Sequence, residues 1–257
     1  MISPEYDSPQ PIVNHLIELR SRFIRVLIIF VTVSCVCYGL SDHIFNFLLK
    51  PLQGVLKELN LERKLIYTGL TEAFLTYIKV ALFSGFFITF PYLASQLWLF
   101  ISPGLFLHER KILRSILIAT PLFFLLGSAF AYWIIFPNAY KFFLSFEVAA
   151  GTGVIPIQLE ARVSEYLSFV MRLIIAFGIS FQLPVLLTAL ASLDLVTKKG
   201  LIEKWRISVV SIFAVAAVIT PPDILSMVGL AMPLVLLYGL SILAVAKVET
   251  LRDKKES

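Results

Sequence analysis

Long apolar runs dominate this chain: 23–40, 73–101, 112–136, 166–193 and 224–246 each carry no more than one charged residue. About 20 apolar residues are what a helix needs to cross the hydrocarbon of a bilayer. In lipid every backbone N–H and C=O must find its partner within the protein, which leaves helices and closed barrels as the only spanning structures. Runs of this length read as helices. A soluble globule is excluded, because 58% of the residues are apolar and only 15% charged, against roughly 25% charged in ordinary domains. A sixth run, 207–219, stops at Thr220-Pro221-Pro222-Asp223. Two adjacent prolines remove donors and clash with the preceding turn, so 207–219 and 224–246 read as a tight hairpin of short helices. The expectation is one all-α membrane domain of six spans over 1–257, with a polar tail at 247–257.

Lys and Arg in the connecting segments set the orientation, since cytoplasmic loops are enriched in them. With the N-terminus inside, that side collects Arg20, Arg22, Arg25, Arg110, Lys111, Arg114, Lys198, Lys199, Lys204, Arg206, Lys247, Arg252, Lys254 and Lys255. The other side has Lys50, Lys57, Arg63, Lys64, Lys141 and Arg162. Fourteen against six places both termini in the cytoplasm. The net charge of +5 then belongs with anionic lipid, and nucleic acid is not expected as a partner. The segments 41–72 and 137–165 are long and partly apolar, and are expected to fold as short helices or caps.

Three polar constellations stand out. His15-Leu16-Ile17-Glu18-Leu19-Arg20-Ser21-Arg22 reads as an amphipathic helix leading into the first span, with Glu18 and Arg22 in the favourable i, i+4 order. His15 and Glu18 lack a third ligand nearby, so no metal site is expected. In the second, Trp98 to Lys111, Pro103-Gly104 breaks the helix and Glu109 is the one acid in a basic loop. The third comprises polar residues at membrane depth. Lys79 and Arg172 can snorkel to the surface, Gln182 should face protein or a wet cavity, and Asp223 can cap the last helix. Pro51 is singled out as a structural residue of the 41–72 segment. No protease, hydrolase or nucleotide-binding motif occurs, so neither catalysis nor a cofactor is expected. A small-solute transporter or channel lined by Lys79, Arg172 and Gln182 is the alternative. The lack of a visible internal repeat weighs against it.

Taken together, HLIELRSR at 15–22, YTGLTEAFLTYIKV at 67–80, PYLASQLWLFISPGLFLHERK at 91–111, GSAFAYWIIFPNA at 127–139, EYLSFVMRLIIAFGISFQLPV at 165–185 and ITPPDILSM at 219–227 resemble the TatC family, the signal-peptide receptor of the twin-arginine protein translocase. The resemblance implies a six-helix bundle shaped as a concave cup in the bacterial cytoplasmic membrane, without catalysis. It implies that Glu18 and Glu109 receive the two arginines of signal peptides on folded cargo, with Arg20 and Phe100 as nearby supports. It further implies docking of single-span TatA- and TatB-like partners on the fifth and sixth helices, self-association, and export driven by the proton motive force. One departure is Gln182, which stands where the family often has Glu; hydrogen bonding survives there but a charge does not.

Overall fold

A computed structural model describes residues 12–61, 63–101, 110–147, 160–219 and 224–256. Ten α-helices follow one another: α1 (Ile12–Gly39), α2 (Ser41–Glu58), α3 (Glu72–Ile101), α4 (Arg110–Phe130), α5 (Phe136–Leu144), α6 (Val163–Ser180), α7 (Leu183–Ser192), α8 (Lys198–Glu203), α9 (Trp205–Ile219) and α10 (Ile224–Glu256). A π-helical turn, Ala131–Ile135, joins α4 to α5. The only strand-like pairing among the described residues is a bridge between Ile66 and Arg162.

Among the described residues, five helical runs are long and apolar enough to cross a membrane: Asn14–Gly39, Glu72–Phe100, Ser115–Leu144, Val163–Ser192 and Met227–Thr250; Trp205–Val218 is a shorter sixth. The hairpin expectation is therefore half right. At 15 residues α9 covers about 22 Å, short of a ~30 Å core. The last helix is not short: Met227–Thr250 has 24 residues, about 36 Å, and α10 continues helically through the charged tail to Glu256. Pro233 lies inside it without ending it.

Prolines explain where the other spans depart from simple rods. The third run continues past 136, because the π turn lets the helix accommodate Pro137: the N–H of Phe136 bonds back five residues to Ala131, and Asn138 Nδ2 donates to the Ile134 carbonyl at 2.7 Å. The fourth run is two helices. Pro184 sits in the first turn of α7, and the chain turns at Phe181-Gln182 rather than running straight through.

Half of α6 is buried, and α3 and α4 pack on it. The α4–α6 crossing is set by small residues, as lipid-embedded helices require in order to approach. A β-carbon on Gly127 would lie 2.5 Å from the Phe177 carbonyl, and one on Gly178 would lie 2.6 Å from the Phe124 ring. Phe124 in turn stacks on Phe90 of α3 at 3.8 Å between centroids. From this centre the packing runs outward in an arc. On one side α1 lies mainly on α3; on the other α7 carries α10, and α9 lies mainly on α10. The margins α1 and α9 keep broad exposed apolar faces, with Phe23 64% and Ile28 59% exposed on α1, and Ile207 69% and Val218 86% on α9.

The end of the bundle holding α2 is tied by polar bonds. Pro51 interrupts α2 internally and cannot supply the N–H that the Phe47 carbonyl would take. Tyr132 supplies the donor instead, its hydroxyl lying 2.7 Å from that carbonyl while the two rings stack at 4.8 Å. Tyr166 donates to the neighbouring Leu48 carbonyl at 2.9 Å. Glu72 joins α3 to α6: one carboxylate oxygen accepts from the Thr68 and Gly69 amides at 2.7 and 3.2 Å, the other from the Ser164 hydroxyl at 2.6 Å.

Candidate functional site

At the opposite end, the first turns of α1 lie against the last turns of α3. Glu18 and Arg22 are one helical turn apart and meet as the i, i+4 spacing predicts. Arg22 Nε and Nη2 both donate to Glu18 Oε1, at 2.9 and 2.6 Å. Arg22 Nη1 reaches across to Gln96 Oε1 on α3 at 3.0 Å. The guanidinium thus fixes Glu18 from behind while spanning two helices. Glu18 Oε2 accepts no hydrogen bond from the described residues, and the side chain is one-third exposed. One turn toward the N-terminus, His15 stacks on Phe100 with centroids 4.1 Å apart and rings 13° from parallel. The result is a carboxylate edge beside an aromatic wall, a surface able to take a cation with apolar neighbours.

Of the residues expected here, Glu18 and Phe100 are brought to the same helix crossing, and Arg20 is exposed on α1 with no ion pair among the described residues. Glu109 and Asp223 lie outside the described residues. Arg22 is more than the solvated partner of Glu18 that the spacing predicts, because it also bridges to α3. Gln96 is not legible in the sequence as a site residue, since it lies 74 positions from Arg22 within a run that reads as span.

Gln182 is at the α6–α7 turn, as protein-facing as its depth requires. Nε2 donates to the Thr120 carbonyl at 3.0 Å and the Gly178 carbonyl at 3.4 Å, while Oε1 is buried without a hydrogen-bond partner. The Thr120 hydroxyl accepts from Trp98 Nε1 at 3.0 Å, so Gln182 links α4 to the turn and Trp98 links α3 to α4. Lys79 and Arg172 share a cavity at the other end of the bundle, and Gln182 is not part of its lining. The three therefore do not line one pathway, which removes the main support for a solute channel. Pro51 lies within α2 and borders a groove with Phe47, Lys50 and Trp133.

The geometry has close relatives. The family profile for "Sec-independent protein translocase protein (TatC)" matches residues 14–233. The Sec-independent protein translocase protein TatC of Rickettsia prowazekii is 48% identical over 239 residues, covering 93% of this chain and 94% of that one. The TatC of Magnetococcus marinus is 41% identical, covering 98% and 90%. A crystal structure of the twin arginine translocase receptor TatC superposes with a TM-score of 0.76 at 34% identity, over 90% of this chain and 98% of that one. With the profile covering most of the chain and relatives matched nearly end to end, this protein is a multi-pass membrane protein of the TatC family of Sec-independent protein translocases.

Proposed function

We propose that this chain is the receptor subunit of a twin-arginine translocation system, taking the arginine pair of a signal peptide at Glu18 and Glu109 on the cytoplasmic face of a bacterial inner membrane. The observation that carries this reading is Glu18: a partly exposed carboxylate whose orientation is fixed from behind by Arg22 and Gln96, with one oxygen that takes no hydrogen bond from the described residues, near the His15–Phe100 stack. A guanidinium meets a carboxylate with a planar fork of donors, shorter and stronger than a neutral bond. An incoming arginine approaches through Oε2, because Oε1 is occupied. Orientation follows the Lys and Arg distribution, which puts both termini and the Glu109 loop inside. On the far margin, the short α9 leaves a mismatch that lipid thinning or another helix must absorb. TatA- and TatB-like single spans and further copies of this chain are the proposed occupants.

The test is affinity for a twin-arginine peptide in detergent, measured for wild type, Glu18→Gln and Glu109→Gln, against a twin-lysine peptide. Loss of one charge-assisted bond costs about 1.5–3 kcal/mol, roughly ten- to a hundredfold in Kd. Folding should be nearly unaffected, since exposed pairs contribute only ~0–1 kcal/mol. Wild-type affinity in Glu18→Gln would remove Glu18 from the site. Equal binding of the twin-lysine peptide would refute recognition by the fork.

A further inference from the structure

Lys79 on α3 and Arg172 on α6 line one open surface cavity of about 310 Å³, together with Ser164, Glu165, Ser168 and Phe169; both cations are exposed. Neither cation forms a salt bridge or hydrogen bond with another described residue. This is costly company at that depth. The 30-residue α3 is about 45 Å long, so roughly 7 Å projects beyond a ~30 Å hydrocarbon core at each end. Lys79, seven residues in from Glu72, lies about 10 Å along the helix, just inside the core boundary. At that level an exposed cation is stabilised by extending to the interface, where it can meet an anion.

The cavity is also ordered along the membrane normal. Arg172 and Ser168 are deep; Glu165 is seven residues, about 10 Å, nearer the end of α6. Glu165 is held only loosely, 3.5 Å from Arg162 with both side chains more than half exposed. The rim does not depend on a ligand for its shape, because Ser164 is fixed to Glu72 by a 2.6 Å bond. From the core outward along α6 the lining therefore reads cation (Arg172), aromatic ring and hydroxyl (Phe169, Ser168), then carboxylate (Glu165).

We propose that this cavity binds the headgroup of a zwitterionic aminophospholipid from the adjacent leaflet, its phosphate between Lys79, Arg172 and the Ser168 hydroxyl and its ammonium at Glu165. The order of charges in such a headgroup, phosphate next to the glycerol and amine outermost, matches the order in the cavity. A lipid phosphate lies in the headgroup layer just outside the ~30 Å core, within reach of long side chains that extend toward the interface. Its own acyl chains hold it there, whereas a free phosphate ion has no such anchor. The inference is independent of the signal-peptide reading, since it concerns the other end of the bundle.

The experiment is native mass spectrometry of the full chain released from nanodiscs of defined composition, with phosphatidylethanolamine, phosphatidylcholine or phosphatidylglycerol as the probe lipid. Wild type should retain one phosphatidylethanolamine in preference to the other two. Lys79→Gln with Arg172→Gln should lower that occupancy at least tenfold, and Lys79→Arg with Arg172→Lys should keep it, which separates loss of charge from loss of fold. Glu165→Gln should abolish the preference for ethanolamine over choline while leaving lipid bound. Lys50→Gln, a cation elsewhere at the same end, should change nothing. Retention by the double Gln variant, equal loss in Lys50→Gln, or a preference for phosphatidylglycerol would overturn the proposal. Displacement by millimolar inorganic phosphate would overturn it as well, by showing a free-anion site.

Discussion

Gly85→Ala tests how the α1–α3 crossing holds the Glu18 site. A β-carbon at position 85 would lie 2.9 Å from both Cα and Cβ of Ser34, and closer still to the Ser34 hydroxyl, where ordinary contact starts at 3.4 Å. The hydroxyl can rotate away; the α1 backbone cannot. Helix α1 must therefore withdraw by at least about 0.5 Å, and overpacking of this kind costs about 1–3 kcal/mol. The consequence reaches the site. The Arg22–Gln96 bond is 3.0 Å long, so a uniform withdrawal of that size takes it to about 3.5 Å, the outer limit of a hydrogen bond. Glu18 then loses its anchor to α3. The assay is thermal unfolding in detergent micelles beside twin-arginine peptide affinity on the same samples. Gly39→Ala is the control, because nothing lies within 4 Å of its added carbon; it should be neutral or stabilising by up to ~1 kcal/mol. Ser34→Gly in the Gly85→Ala background should recover part of the loss, whereas Ser34→Ala should not. If Gly85→Ala unfolds with wild type and binds peptide equally well, the rigid crossing is not what positions Glu18.

Three further outcomes follow from the packing. Gly127→Ala should destabilise more than Gly178→Ala, because the first meets a backbone carbonyl and the second a ring and a hydroxyl; Ser128→Ala should partly relieve only the second, as read by unfolding in micelles. Tyr132→Phe should cost about 1–3 kcal/mol by orphaning the Phe47 carbonyl. Pro51→Ala added to it should restore most of that in the same unfolding assay, since an alanine there brings its own N–H. Arg22→Lys keeps the charge but loses the two-helix bridge, so peptide affinity should fall several-fold while the salt dependence of binding stays unchanged; wild-type affinity in this variant would show that Arg22 acts through charge alone.

The spans are legible because the bilayer imposes their length and leaves the backbone no alternative. What the sequence hides are events that depend on partners far along the chain. Pro51 looks like a helix breaker until Tyr132, 85 residues from Phe47, supplies the missing donor. Pro137 suggests an end to the third span, yet a single π turn carries the helix on to Leu144. The last helix reads as short because the double proline is visible, whereas the helical continuation through charged residues to Glu256 has no apolar signal. In the site, Glu18 and Arg22 are readable as a turn-spaced pair. Gln96 is not, because an amide in an apolar run carries no sign of which helix it faces.

The pairing of Glu18 changes the electrostatic picture of this face. A bare carboxylate would attract any cation, lysine-rich peptides included. Here Arg22 already neutralises it, and Arg20 and Arg25 stand nearby on the same helix, so the described part of the face carries an excess of positive charge. Long-range attraction for a basic peptide is therefore weak, and salt at physiological strength screens what remains beyond about 8 Å. On the proposed reading, discrimination comes at contact, from what can bond to the Glu18 oxygen that the described residues leave without a hydrogen bond, in the geometry that Arg22 and Gln96 impose. A planar guanidinium can meet that edge with its fork of donors, and its weakly hydrated face suits the aromatic surroundings that the His15–Phe100 stack supplies. An ammonium can satisfy only the charge. On that reading, the arrangement would give up general affinity for cations and keep specificity for arginine, as a receptor needs when most basic peptides in its compartment are not its cargo.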